Sequence, residues 1–216
     1  MTVAEMHEYF DLLTDKVGDP YFLETEKDTF LTNAALQFIR DYLLPRTQGV
    51  SNFEFDQLSY SNVDTLVFET ASLGLPGDGK ISNATIQTAL NTASGSTEPY
   101  MFLVNASYIN GGQTVPIKYA RQNEWYMTET NVFKKGTTSQ PRYKQDGVNV
   151  TITPSPSGTS VKFTLIKQPK TITLSPPVNC DLPAETHKKV VEMAVELASI
   201  SLRDIDLYQT NAKNTD

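Results

Sequence analysis

Lys80 closes the pattern G-x-x-x-x-G-K that opens the stretch "GLPGDGKIS", Gly74 to Ser82. A phosphate-cradling loop has this spacing because backbone N–H groups wrap the phosphates and the lysine reaches the outer ones. It also needs a Ser or Thr next after the lysine to hold Mg²⁺, and that place is taken by Ile81. Ser82 comes one residue late, and a helix turns about 100° per residue, so its hydroxyl faces elsewhere. Asp78 adds a negative charge where anions would sit. The stretch therefore reads as a Gly/Pro/Asp turn leading into a short helix capped by Ser82. Cys180 and His187 are seven residues apart, near enough to suggest a nucleophile and its base, but no oxyanion-loop signature accompanies them. With His7 they are too scattered for a zinc site. A surface histidine and a half-buried cysteine are the expectation. Glu54 and Asp56 are a carboxylate pair of the kind any acidic chain carries, with nothing that sets them across a cleft. No enzyme, cofactor or metal is expected.

The remaining residues with recognition chemistry are aromatics among cations. Tyr119, Trp125, Tyr126, Phe133 and Tyr143 lie among Lys118, Arg121, Lys134, Lys135, Arg142 and Lys144. Such a mixture binds nucleic acid or sugar, or forms a protein interface, where Trp, Tyr and Arg are favoured. About half of the rings are expected in a sheet core. The six cations are the candidate subunit-interface residues.

Charge is segregated along the chain. The net charge is −7. Residues 1–99 hold 15 acids and 5 bases, residues 100–178 hold 3 acids and 9 bases, and residues 179–216 hold 7 acids and 4 bases. Acidic ends flank a basic centre, a pattern suited to complementary surfaces between copies or to contact with a polyanion. One cysteine excludes an internal disulfide. No signal peptide or membrane-length apolar run is visible, so a reducing cytoplasm and no membrane partner are expected.

The elements that position these residues fall in three blocks. Thr2 and Glu5 form a capping-box pair before the stripe Val3, Met6, Phe10, Leu13 and Val17, with a stop at Gly18 and Pro20. A second helix is predicted from about Thr25, with Asp28 three residues on, through Leu43 to a break at Pro45. The centre reads as strands: "TLVFETASL", "YMFLVNASYI", "TVPIKYARQ", "EWYMTETNVF", "VNVTITP", "SVKFTLIKQ" and "KTITLS". "INGG" and "PSPSG" read as hairpin tips, and "SNATIQTALNTA" as a short helix. A last helix opens at Pro183 and carries Val190, Val191, Ala194, Val195, Leu197, Ala198, Ser201, Leu202 and Ile205. The expected class is α+β. Residues 1–50 and 179–216 form a helical bundle, and 51–178 an inserted, antiparallel, sandwich-like β-rich domain.

Three blocks in this order resemble a known family. They are "FLTNAALQFIRDYL" after a "GDP" break, "PRYKQDGVNVTITPSPSGTSVKFTLIKQP", and "CDLPAETHKKVVEMAVELASISLRD". The order is similar to that of head–tail connector proteins of tailed bacteriophages, the adaptor or ring proteins beneath the portal, nearest to ring proteins of crAss-like phages. The resemblance covers over half the chain and leaves residues 51–95 unplaced. It implies a structural virion protein, assembled in the host bacterial cytoplasm. Such a protein forms a ring, usually of twelve copies, between the portal protein and other tail or ring proteins. Double-stranded DNA passes through the lumen without sequence readout. The bundle would line the axis and the β insertion would make lateral or outward contacts. The alternative is a tail or capsid-decorating protein whose β region binds a glycan or another virion protein.

Overall fold

The capping box forms as the sequence implies. Glu5 N–H donates to Thr2 Oγ1 (3.3 Å), and Thr2 N–H donates to Glu5 Oε2 (2.8 Å). In the computed structural model, which describes residues 1–14, 22–43, 61–131, 133–156 and 158–213, this cap starts α1 (Val3–Leu13). The expected stop at Gly18 and Pro20, the break at Pro45 and the Glu54/Asp56 pair lie outside the described residues.

The second helix, α2 (Glu24–Leu43), begins one residue before Thr25. Glu26, not Asp28, serves its first turn, accepting from Leu23 N–H (2.9 Å). Asp28 instead bonds His7 Nε2 (2.8 Å) and accepts from Leu174 N–H (3.1 Å). The chain divides into two compact units, residues 1–66 with 169–216, and residues 67–168. In the first unit the chain ends meet. The last helix, α5 (His187–Lys213), packs on both α1 and α2. Met6 and Phe10, Leu31 and Ile39, and Val190, Val191, Ala194 and Ala198 are all buried. Each large side chain buried here contributes about 1.5–3 kcal/mol, and the alanines let helices approach closely.

The boundaries of 51 and 178 expected for the insert move inward to 67 and 168. The reason is hydrogen bonding across long stretches of sequence. Ile172 N–H donates to Thr32 Oγ1 (3.0 Å), Val3 N–H to Asn179 Oδ1 (2.9 Å), and Thr65 Oγ1 to the Asp181 carbonyl (2.7 Å). Residues 170–182 are thereby stitched to helices, and "KTITLS" makes only the isolated Thr173–Val178 bridge outside the named strands. The last helix opens at His187 rather than Pro183, because the Pro183 carbonyl accepts from both Thr186 N–H and Thr186 Oγ1 in a preceding turn.

The second unit is the inserted antiparallel β region. One sheet sets β1 (Val67–Glu69) and β2 (Leu73–Gly74) along β9 (Ser160–Lys167), followed by β4 (Tyr100–Asn110) and β5 (Gln113–Pro116). The other runs in the order β3 (Lys80–Ser82), β8 (Asn149–Thr153), β7 (Arg142–Gln145) and β6 (Lys118–Tyr119), with β6 and β7 parallel. Alternation fixes which face is buried. Ala106 and Tyr108, Val161, Phe163 and Leu165, and Val150 and Ile152 share one core across both sheets. The short helix α3 (Asn83–Ser94) is capped by Ser82, whose Oγ accepts from Thr85 N–H (3.1 Å), and it adds Ile86 and Leu90 to that core.

"INGG" is the tip of the β4–β5 hairpin, with Gly111 and Gly112 at φ +59° and +83°. A two-residue turn with both φ values positive matches the strand twist and favours glycine. "PSPSG" is not a hairpin tip, since it carries the chain from β8 in one sheet to β9 in the other. "TVPIKYARQ" splits at a corner for the same reason. Ile117 N–H donates to Ala106 in the first sheet, and Lys118 N–H to Pro141 beside the second. "EWYMTETNVF" is not a strand but the helix α4 (Gln122–Thr130) and the loop after it. Gln122, Glu124, Met127 and Glu129 are ordinary helix formers, and the β propensity of Trp and Tyr is overridden: among the helix residues whose burial is described, Trp125 is buried while Tyr126 and Met127 are exposed.

Candidate subunit interface

α4 is anchored at its start and through Trp125, and exposes Tyr126 and Met127. Ala120 N–H donates to the Tyr143 carbonyl (2.7 Å), Trp125 N–H to the Arg121 carbonyl (3.0 Å), and Gln122 Nε2 to the Gln145 carbonyl (3.1 Å). Trp125 buries its ring, and Lys144 Nζ lies 5.3 Å from that ring's centroid and 5.5 Å from the centroid of Tyr126. The following loop is shaped by Asn131. Its Oδ1 accepts from Phe133 N–H (2.9 Å), and its carbonyl accepts from the N–H groups of Lys134 and Lys135 (3.0 and 2.9 Å).

This scaffold turns large apolar side chains outward. Phe133 is 98% exposed, Met127 75%, Tyr126 71% and Tyr119 57%. Met127, Thr130, Asn131 and Phe133 line an open depression of about 550 Å³. Of the five rings, Trp125 and Tyr143 are buried and Tyr119, Tyr126 and Phe133 are not. Contiguous exposed apolar surface of this kind marks interaction sites.

The six cations lie at the start of α4, on the strands beside it and on the loop after it. Lys118 and Arg142 are partners across the β6–β7 pair, Lys144 lies two residues along β7, and Arg121 is the N-cap of α4. Lys134 and Lys135 follow Phe133. Lys118, Arg121, Lys134 and Lys135 are exposed, while Arg142 and Lys144 are half-buried. None of the six makes a salt bridge among the described residues. Met127 is the member that sequence reasoning missed. Reading residues 122–130 as a helix would have found it, since a helix that buries Trp125 turns the next two side chains away.

The "GLPGDGKIS" stretch is built as a turn between sheets. Gly79 N–H donates to the Pro76 carbonyl (2.8 Å), Asp78 Oδ1 accepts from Lys80 N–H (3.1 Å), and Lys80 pairs with Thr151 as the first residue of β3. Gly79 sits at φ +69°, and a Cβ there would run into the Ile152 carbonyl oxygen. The N–H groups of Leu75, Gly79 and Lys80, of the kind a phosphate would need, are committed to the Thr159 and Pro76 carbonyls and to Asp78 Oδ1.

His187 and Cys180 are more buried than a surface histidine and a half-buried cysteine would be. His187 Nε2 bonds the Leu182 carbonyl (2.8 Å), and Nδ1 lies 3.0 Å from the Met1 carbonyl oxygen. Both ring nitrogens therefore hold chain segments together. Burial, the largest cause, pushes the Cys180 thiol above its ordinary pKa, the opposite of an activated nucleophile. His7 is also buried, against Asp28. Among the described residues no group of three or more His, Cys, Asp or Glu side chains converges as a metal site, and no helix is long and apolar enough to cross a membrane.

No protein-family model matches this chain, and no curated protein matches it.

Proposed function

We propose that this chain is a structural virion protein that forms an oligomeric ring between portal and tail, surrounding the DNA channel. The observation that carries the proposal is the face of α4 and its loop. Tyr126, Met127 and Phe133 are held outward by a helix anchored through Trp125, with Lys144 against Trp125 and Tyr126 and with Lys134 and Lys135 next to Phe133 in the chain. A rigidly presented apolar and cationic face is what a second protein surface grips. Charge divides with the fold. The β unit carries 6 acids and 9 bases, net +3, and the helical unit 19 acids and 9 bases, net −10. Opposite signs on two units of one chain favour head-to-tail association, the geometry from which rings close. An acidic helical surface facing a lumen would repel phosphates and let DNA slide. The chain's resemblance to head–tail connector proteins points the same way.

The exposed rings of Tyr119 and Tyr126 beside cations also suit a tail or capsid-decorating protein that binds a glycan or another virion protein. Mass photometry of the purified chain separates the two. A closed ring of many copies supports the connector, and a monomer or trimer supports decoration.

A further inference from the structure

The tip formed by Phe133, Lys134 and Lys135 has a counterpart on the helical unit. Residues of α1, the start of α2 with Phe22 and Leu23 just before it, and Leu174 line an open cleft of about 770 Å³. Its walls combine apolar surface from Phe22 and Leu23 with the carboxylates of Glu8, Asp11 and Glu24. Asp11 is committed to the buried Lys27, whose Nζ lies 2.6 Å from Asp11 Oδ1. Glu8 and Glu24 are exposed and make no salt bridge among the described residues. Leu23 is 69% exposed, an apolar side chain in the open as Phe133 is.

We propose that this cleft receives Phe133 of a second copy, with Lys134 and Lys135 meeting Glu8 and Glu24. The inference rests on the ring reading above and names its contact. Chemistry matches an aromatic ring to an apolar-walled cleft, and two exposed lysines to two exposed glutamates that make no salt bridge among the described residues. Charge matches a unit of net +3 to one of net −10. Stoichiometry favours a second copy over another protein, because every copy brings one knob and one cleft on different units. Made in one direction, such a contact is heterologous and propagates until the copies close into a ring; a reciprocal exchange within a pair would stop at a dimer, and a dimeric mass would overturn the ring.

The test uses the full chain and compares four proteins by native mass spectrometry over a concentration series. They are the unchanged chain, K134E/K135E, E8K/E24K, and all four substitutions together. All four positions are exposed, and unchanged far-UV circular dichroism checks that each variant folds. Each reversed pair is expected to raise the concentration needed for assembly at least about tenfold, and the combined variant to restore it. A second readout mixes Phe133→Cys with Leu23→Cys chains under oxidation; a disulfide-linked species containing both chains is expected. If the unchanged chain assembles but both reversals assemble equally well, or the combined variant stays monomeric, this contact is overturned and the ring reading stands. If the unchanged chain is monomeric at every concentration, both are overturned.

Discussion

Lys144 on β7 holds its ammonium 5.3 Å from the centroid of the Trp125 ring on α4. This contact joins the sheet to the helix that presents the exposed side chains, and Trp125 is the chain's single tryptophan. Trp125→Ala is expected to cost roughly 3–5 kcal/mol, the usual range for emptying a large buried aromatic site. Lys144→Met keeps the stem and loses the cation, at about 0.5–2 kcal/mol. Urea denaturation followed by circular dichroism measures both. A Trp125→Ala protein as stable as the parent would mean that α4 is not anchored by its ring.

The turn at Gly79 and Lys80 separates backbone geometry from nucleotide chemistry. Gly79→Ala should destabilise by at least about 1–2 kcal/mol, because φ is positive there and the new methyl meets the Ile152 carbonyl. Lys80→Ala, at an exposed strand position, should stay within about 0.5 kcal/mol of the parent. Thermal melts with and without ATP check both substitutions. A large ATP-dependent shift that vanishes in Lys80→Ala would restore a nucleotide site.

Asp146 gives the β unit an acid-sensitive element. Its Oδ1 accepts from Asn149 N–H (2.6 Å) and Val148 N–H (3.0 Å), and these bonds, Asn149 first, hold its carboxyl below the usual pKa. A depressed folded-state pKa means stability that is present above the ordinary carboxylate value of about 3.9 and is lost as pH falls through the lower folded one. Asp146→Ala should therefore be less stable than the parent at neutral pH and converge with it in acid. Parallel curves across the whole range would contradict this.

Cys180 behaves in the opposite sense. Burial raises its thiol pKa, so the neutral form contributes stability below the ordinary thiol pKa of about 8.5, and that contribution fades as pH rises through the folded value. At neutral pH a thiol reagent should label the native protein only as fast as it opens, and labelling should become rapid in denaturant. Immediate stoichiometric labelling of the native chain would show the thiol to be accessible.

Local signals were the legible part of the fold. Thr2 with Glu5, Ser82 before α3, and Asn110–Gly111–Gly112 each determine a cap or a turn from neighbouring residues alone. The alternation of Val150 with Ile152 and of Val161 with Phe163 marks a buried face without knowledge of the partner strand. What failed depends on distant partners. Residues 170–175 look like a strand until Thr32 and Asp28 claim the N–H groups of Ile172 and Leu174. Residues 124–133 look like a strand because Trp, Tyr and Phe do, and only burial distinguishes Trp125 from Phe133. For the candidate interface, the sequence shows the cations and rings but not which of them face outward. The apolar knob depends on which way α4 faces, and that is set by the Trp125 seat beside Lys144.

The most direct test is the mass of the purified full chain across a range of concentrations and salt. Self-assembly through the α4 face predicts one closed species of many copies, driven back towards monomers by high salt and by Phe133→Asp. A single-copy mass at every concentration, with Phe133→Asp indistinguishable from the parent, would contradict it.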